Sequence, residues 1–600
     1  MAPEARKCQN CAKEFHIDTD DFAFYRRLQV PSPTWCPECR MIRRFLFRNE
    51  HQLFRRKNDR TGKELFSGFP QSTPVKVYDH DYWLSDGWDP MSYGREYDFS
   101  RPFFEQFREL LYAVPFPSRD IHNMVNSDYS NQADSLRNAY LCFDCTELEN
   151  CAYIISAVHS KESFDLFETR HSELCYEGYM IDESYRVFFS VNCEECTDIW
   201  FSKNLMGCSN CFGCMNLRNK SYHIFNKPYS KEEYKKQLAQ FDIGSYRVKE
   251  DLVKQAREFW KKHPERFTIA IRVVNSTGEH IEKSKNLKYC YSIHGGEDLA
   301  YCQFITGPAT DSYDYTIWGA GASRIYESIT CGLECDGLRF CWNCWPSSKN
   351  LEYSAYCRSS SDLFGCAGLK KKQYCILNKQ YSQDDYLALR EKIVQNMNNA
   401  PYTDKRGRVY RYGEFFPPEF SPFAYNETFA FDFFPLSREA AENAGYTWRV
   451  PEVRHYDTTV NASELPDHIK DIDDSILKEI IKCASCGRAY RIIQMELEFY
   501  KNVGVPLPRL CHDCRFQERF KFINPPKFWA AKCQCAGGAS DPPAIRRAGQ
   551  QPATGFQYQN TAVHPSHNSE EHCPNEFETS YAPGRPEIVY CEHCYKSEVA

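Results

Sequence analysis

A chain of 600 residues with 42% hydrophobic content can build several domains, each with its own core. It contains no run of 18 apolar residues to span a membrane, and a formal net charge of −7 argues against the whole chain coating a polyanion. Its 31 cysteines follow a start, MAPEARKCQN, without an apolar leader, so they are expected to be metal ligands or buried thiols of a cytoplasmic protein rather than disulfides.

Residues 1–60 open with CQNC and CPEC, which supply Cys8, Cys11, Cys36 and Cys39. Each C-x2-C pair suits a tight turn whose amides point at the thiolates, and two such turns complete a tetrahedral Zn2+ site with no open position, hence a structural one. A module this small has little core, and metal binding worth about 10–16 kcal/mol is expected to fold it. Arg40, Arg43, Arg44, Arg48, Arg55, Arg56, Lys57 and Arg60 follow on an expected helix, with Arg40, Arg44 and Arg48 on one face. Residues 40–60 hold 8 Lys/Arg against 2 Asp/Glu. Such a stripe can follow a phosphate backbone without reading bases. It can also be a solvated face or pair with the acidic solenoid that follows.

Residues 61–121 read as a small metal-free knuckle and a helix, RPFFEQFRELLYAVPFP. The apolar face of that helix (Phe103, Phe104, Phe107, Leu110, Leu111) is expected to dock on the first rung of the array that follows. In that array, residues 122–229, aromatics recur at Tyr140, Tyr153, Phe164, Tyr176, Trp200, Phe212 and Tyr222, about one per 12-residue unit of polar corner and β-prone run. This is the pattern of a parallel β-solenoid, whose rungs bury a core only by stacking. The array is acidic, with 15 Asp/Glu against 8 Lys/Arg.

A charged helical insert, 230–272, leads to a second array at 273–381. FGCMNLRNKSYHIFNKPYSKEEY at 212–234 aligns without a gap on FGCAGLKKKQYCILNKQYSQDDY at 364–386, so the array is duplicated. Ser230 to Glu233 and Ser382 to Asp385 have capping-box spacing for a helix closing each copy. The array cysteines (Cys142, Cys145, Cys193, Cys196, Cys208, Cys211, Cys214, Cys341, Cys344) are either small apolar fillers stacked rung on rung or metal ligands. Residues 382–480 begin with the cap and run into a Phe/Tyr/Pro-rich stretch, expected to wrap over the solenoid because free aromatics at that density would aggregate.

Residues 481–525 repeat the opening module 475 residues later. CASC and CHDC supply Cys483, Cys486, Cys511 and Cys514, and the gap from first to third cysteine is 28 residues in both copies. Phe24-Tyr25 matches Phe499-Tyr500, Pro31 and Pro33 match Pro506 and Pro508, Arg40 matches Arg515, and Arg44-Phe45 matches Arg519-Phe520. Both copies resemble the bacterial probable zinc-ribbon family, with C-x2-C, an aromatic-Tyr step, a Pro, then C-P-x-C-R. His512 replaces the Pro of that last motif. The resemblance implies zinc binding and no reaction.

Residues 526–600 carry KCQC, HCPN and RPEIVYCEHCY, the last similar to a zinc-ribbon ending. Cys591 and Cys594 form one half of a third site. The other half is drawn from Cys533, Cys535, Cys573, His564, His567 and His572, with Cys535 and Cys573 taken as its ligands. The 536–570 stretch reads as a flexible loop.

No Ser/His/Asp arrangement, phosphate loop or HExxH occurs, and no small-molecule substrate is indicated. His294, Glu297, Asp298, Asp311 and Asp314 are minor catalytic candidates in rung corners. The layout resembles uncharacterised cysteine-rich repeat proteins of uncultivated bacteria, a resemblance that implies no activity. The expectation is a mainly β chain holding about three structural zinc ions and acting as a cytoplasmic scaffold for a protein partner. The alternatives are a nucleic-acid or ribosome-associated factor working through Arg40–Arg60 and a β-helix enzyme acting on glycans.

Overall fold

The computed structural model describes residues 2–450, 456–535, 558, 560–562, 564 and 572–599. The chain divides into two compact units that are not consecutive in sequence. One comprises Met1–Arg119, Thr268–Pro451 and Pro525–Lys527, and the other Asp120–Phe267, Glu452–Asn524 and Phe528–Ala600. Each unit pairs one solenoid array with one copy of the duplicated cysteine module, taken from distant parts of the chain.

In the second unit the first array is built of parallel rungs at a register of 12 residues. Ala152 pairs with Phe164, Phe164 with Tyr176, Tyr176 with Phe188, Phe188 with Trp200, Trp200 with Phe212 and Phe212 with Ile224. The finer period is three. Every third residue from Ala133 to Cys214 faces the interior, and its apolar members, such as Leu136, Cys142, Ile154, Cys175, Val187 and Cys211, form one core. The residue before each of them has positive φ through most of the array, for example Leu141 at 52°, Tyr153 at 60° and Asn192 at 53°. Each rung is therefore a loop with a left-handed corner at every third position, a conformation that costs most residues about 1–2 kcal/mol and suits Asn and Asp best. The asparagines at those corners repay part of the cost by bonding up the stack: Asn126 donates to Asn138 at 3.1 Å, Asn138 to Asn150 at 2.9 Å and Asn192 to Asn204 at 2.8 Å.

The inward cysteines alternate with serines that make the same bonds. Cys142 Sγ donates to the Tyr140 carbonyl at 3.7 Å and Ser163 Oγ to that of Lys161 at 2.7 Å, while the Cys175 amide donates to Ser163 Oγ at 3.1 Å. A thiol or a hydroxyl in this column satisfies its own hydrogen and one carbonyl of the tight corner. The array cysteines are free and buried, and among the described residues none belongs to a group able to hold a metal ion.

The array of the first unit opens at a register of 11 (Ala270 to Ile281), takes the 12-residue register (Gly278 to Cys290, Ile281 to Ile293), widens to 13 (Leu299 to Ser312, Tyr313 to Tyr326), and returns to 12 (Leu351 to Leu363). The extra residue falls at the same corner of successive rungs, around Gly307, Gly319, Gly332 and Pro346. Gly319, at φ 139°, faces the Gly307 carbonyl so closely that a Cβ would lie 2.4 Å from its oxygen, so no side chain fits there.

Helices Lys231–Leu238 and Gln383–Asn399 follow the last rungs, with Ser230 and Ser382 accepting from the Glu233 and Asp385 amides. The helix Phe103–Ala113, expected on the first rung of array 122–229, has its partners within its own unit. It packs on late rungs of array 273–381, with the Phe103 ring 5.2 Å from both Tyr353 and Phe364. Gly365 leaves the space, since a Cβ there would strike Phe103 at 2.8 Å. The aromatic stretch after residue 402 lies buried against that helix and the same array, Phe416 stacking on Phe107 of the helix at 5.1 Å and Phe429 meeting Phe304 of the array at 5.0 Å. Most of the 536–570 loop, with His567, lies outside the described residues. Among the described residues no helix is long and apolar enough to cross a membrane.

Candidate metal centres and the arginine clamps

Three four-cysteine groups have their sulfurs within 4.8 Å of one another: Cys8, Cys11, Cys36 and Cys39; Cys483, Cys486, Cys511 and Cys514; and Cys533, Cys573, Cys591 and Cys594. Each can hold a metal ion. In the first, antiparallel strands Glu4–Lys7 and Glu14–Ile17 present Cys8 and Cys11, and Cys36 caps the helix Pro37–Phe45. The second repeats this with Ile481–Lys482, Ala489–Tyr490 and the helix His512–Phe520. The third uses Trp529–Lys532 and Glu576–Thr579, with Ile588–Tyr590 leading into Glu592–Val599.

One bond recurs in all three. The amide of the third cysteine donates to the sulfur of the first, Cys36 to Cys8 at 3.2 Å, Cys511 to Cys483 at 3.3 Å and Cys591 to Cys533 at 3.2 Å. Such donors favour thiolate, the ligand form. Contact with Cys533 draws Cys591 down to about 4, while Cys533 itself is pushed up by that same partner and by burial. The sulfur gathered with those of Cys573, Cys591 and Cys594 is that of Cys533, in place of the expected Cys535. The sequence could not separate them because they stand two apart in KCQC, and only the end of strand Trp529–Lys532 decides which one turns toward Cys591. Cys535 lies in an adjoining group with His564 and Cys594, and His572 is exposed.

The arginines after CPEC are not a surface stripe. The helix ends at Phe45, and Arg55 and Arg56 stand on strand Phe54–Lys57, which turns back through Gly62. Arg40, Arg43, Arg44 and Arg48 are at most 2% exposed. Arg40 Nε donates to Asp314 Oδ2 at 2.9 Å and Arg44 to Asp314 Oδ1 at 3.1 Å, while Arg43 bridges Glu327 at 3.1 Å and Glu414 at 2.8 Å. Arg48 pairs with Glu50 and donates to Thr330, and Arg56 pairs with Asp59. A phosphate backbone cannot reach side chains packed this way, so the phosphate-tracking reading of Arg40, Arg43, Arg44, Arg48 and Arg56 is corrected. Arg55, Lys57 and Arg60 are exposed, Arg55 lying over the Phe66 ring and Arg60 over that of Tyr82.

The second copy clamps its own array by the same contacts. Arg515 and Arg519 both reach Asp165, at 3.0 and 2.9 Å. Phe499 packs on Phe164 and Tyr500 on Tyr176, as Phe24 stacks on Tyr313 and Tyr25 on Tyr326. Arg515 lies 4.8 Å over Tyr153, and Arg40 lies 5.5 Å over Tyr301. The anchoring carboxylates Asp165, Asp314, Glu327 and Glu414 were not singled out as counter-ions by sequence. The signal available was an Asp directly after an aromatic at matching corners of both arrays, Phe164-Asp165 and Tyr313-Asp314.

The other corner groups are also engaged. Asp311 pairs with Arg27, His294 with Glu282 at 3.0 Å and Glu297 with Lys285 at 2.9 Å, and Asp298 accepts from Asn286 at 2.8 Å.

No family model matches the chain, and no curated protein matches it. Among solved structures, a putative acetyltransferase from Desulfovibrio desulfuricans G20 is similar at 10% identity, covering 50% of this chain and 83% of that one with a TM-score of 0.10. A score so low carries no argument about fold or activity.

Proposed function

We infer that the protein is a zinc-binding scaffold of a reducing cytoplasm, in which closed metal modules lock onto solenoids whose remaining surface receives a protein partner. What carries this reading is the burial of Arg40, Arg43 and Arg44 on Asp314, Glu327 and Glu414. The duplicated modules spend their positive charge inside the molecule, so their role is architectural. Zn2+ is the ion that four thiolates in a closed tetrahedral arrangement favour, and the resemblance to zinc ribbons points the same way. Support for a protein partner comes from exposed tyrosines on the arrays, Tyr129 and Tyr185 on one and Tyr289 on the other, whose apolar rings and polar tips suit such contacts.

The test is elemental analysis of the full chain expressed with ample zinc. At least three zinc ions per chain are expected, with Cys36→Ser and Cys511→Ser each losing one. Purified protein that carries no metal and folds identically with a strong chelator present would sink the reading.

A further inference from the structure

Beside the third four-cysteine group lies a second set of donors. Cys535 Sγ, His564 Nδ1 and Cys594 Sγ all fall within 4.8 Å of one another, and Cys594 also belongs to the first set. Cys535 Sγ and His564 Nδ1 are 3.3 Å apart, and all three residues are buried.

The surroundings are built to aim these atoms. His564 Nε2 lies 2.8 Å from Glu598 Oε1. Glu598 is itself fixed by the Thr561 amide and hydroxyl, each at 2.8 Å, by the Ala562 amide at 3.1 Å and by the Tyr558 hydroxyl at 3.0 Å. A carboxylate held this way accepts the hydrogen bond from Nε2–H and so favours the tautomer whose Nδ1 lone pair faces the two sulfurs. This is the outer-shell arrangement that metal-ligating histidines use. Asn560 Nδ2 donates to Cys535 Sγ at 3.1 Å, and Tyr590 OH donates to Asn560 Oδ1 at 2.8 Å, which orients the amide so that its donor faces the sulfur. Four thiolates on one dication leave the neighbouring group doubly negative, so a second dication is electrostatically favoured beside it.

We propose that Cys535, His564 and Cys594 bind a second zinc ion, with the Cys594 thiolate bridging it to the ion held by Cys533, Cys573 and Cys591. Binding exchanges Zn2+ for the Cys535 proton. With three protein donors, this ion keeps one position for a non-protein ligand, unlike the closed sites of the duplicated modules. That makes it the exchangeable ion of the chain.

The experiment uses the full chain loaded with Zn2+ or Co2+. The wild type is expected to hold one more ion than Cys535→Ser or His564→Asn, and to release that ion first to a mild chelator. Glu598→Gln weakens the same ion by about 10–100-fold while Cys535 and His564 stay in place. The cobalt form shows a magnetically coupled pair in the wild type that is absent from both ligand variants. Equal metal content in wild type, Cys535→Ser and His564→Asn, without coupling, overturns the proposal and leaves a thiol–imidazole hydrogen bond. A wild type holding no metal at all would instead be a failure of the zinc reading as a whole. Both ligand variants keep the four cysteines of the neighbouring group, so a retained ion at that group shows that the loss of the second ion is not a folding defect.

Discussion

Arg515 donates its Nε to Asp165 Oδ1 at 3.1 Å across 350 residues of sequence, and both side chains are almost wholly buried. Arg519 shares that carboxylate, and Arg515 also reaches Glu496 at 3.2 Å. Taking two charges out of water is repaid only when every partner is present, so removing one strands the others. Arg515→Ala is expected to destabilise its unit by about 3–5 kcal/mol, read from urea denaturation. Asp165→Asn should do comparable harm, whereas Arg515→Met combined with Asp165→Leu should recover much of the loss. If Arg515→Ala unfolds at the wild-type urea concentration, the clamp holds nothing together.

The stacking of rungs and the twin modules were legible because both leave long repeats in the sequence. The finer plan was not. Inward positions recur every third residue, but their occupants run from Gly, Ala, Ser, Cys and Thr to Val, Leu and Ile, with no shared size or polarity, so a hydropathy pattern cannot find them. The array duplication was visible only in its ungapped tail because the 13-residue rungs around Gly307, Gly319, Gly332 and Pro346 shift the alignment step by step. With those residues set aside, Phe164, Asp165 and Tyr176 fall on Tyr313, Asp314 and Tyr326, the three positions each module grips. Spacing places Arg40 and Arg44 on one face but does not tell what that face meets, so phosphate, solvent and solenoid carboxylates all stand open until the pairing with Asp314 is seen.

Arg44 and Arg55 separate an architectural role from a phosphate-binding one. Arg44 is fully buried on Asp314, Thr316 and Gln303, whereas Arg55 faces solvent. Arg44→Glu with Arg48→Glu is expected to unfold the first unit, seen as lost cooperative melting. Arg55→Glu should leave both the melting and any salt-dependent RNA retention unchanged. Selective loss of RNA binding by Arg55→Glu, with folding intact, would restore the nucleic-acid reading.

Lys370 sits over the rings of Trp83 and Trp88 and donates to the Trp83 and Ser85 carbonyls. Burial, reinforced by Arg358, lowers it from the ordinary 10.5 to about 8. Between these values the unfolded chain binds more protons than the folded one, so Lys370 makes stability rise as pH rises from about 8 toward 10.5. In Lys370→Met that contribution disappears, and the melting temperature of the variant should exceed that of wild type at pH 7 by more than at pH 10. A difference that does not change with pH would count against a depressed lysine.

Thiol chemistry distinguishes the stacked cysteines from the module cysteines. Burial pushes Cys142 up to about 12 and Cys175 likewise, and their hydrogens are spent on backbone carbonyls. Cys486 is exposed; burial works to raise it, but Arg488 Nε at 3.4 Å and its neighbouring sulfurs prevail and bring it to about 6. The thiolate is the reactive form. After metal removal, Cys486 is therefore expected to be alkylated far faster than the array cysteines. Array cysteines should stay unlabelled until denaturant is added. With zinc bound, Cys486 is protected by its ligand bond, so zinc added back should suppress its labelling while leaving the array pattern unchanged. Peptide mapping by mass spectrometry reads both outcomes. Rapid native labelling of Cys142 or Cys175 would mean that the rungs open, and labelling of Cys486 that zinc does not slow would mean that Cys486 is not a ligand.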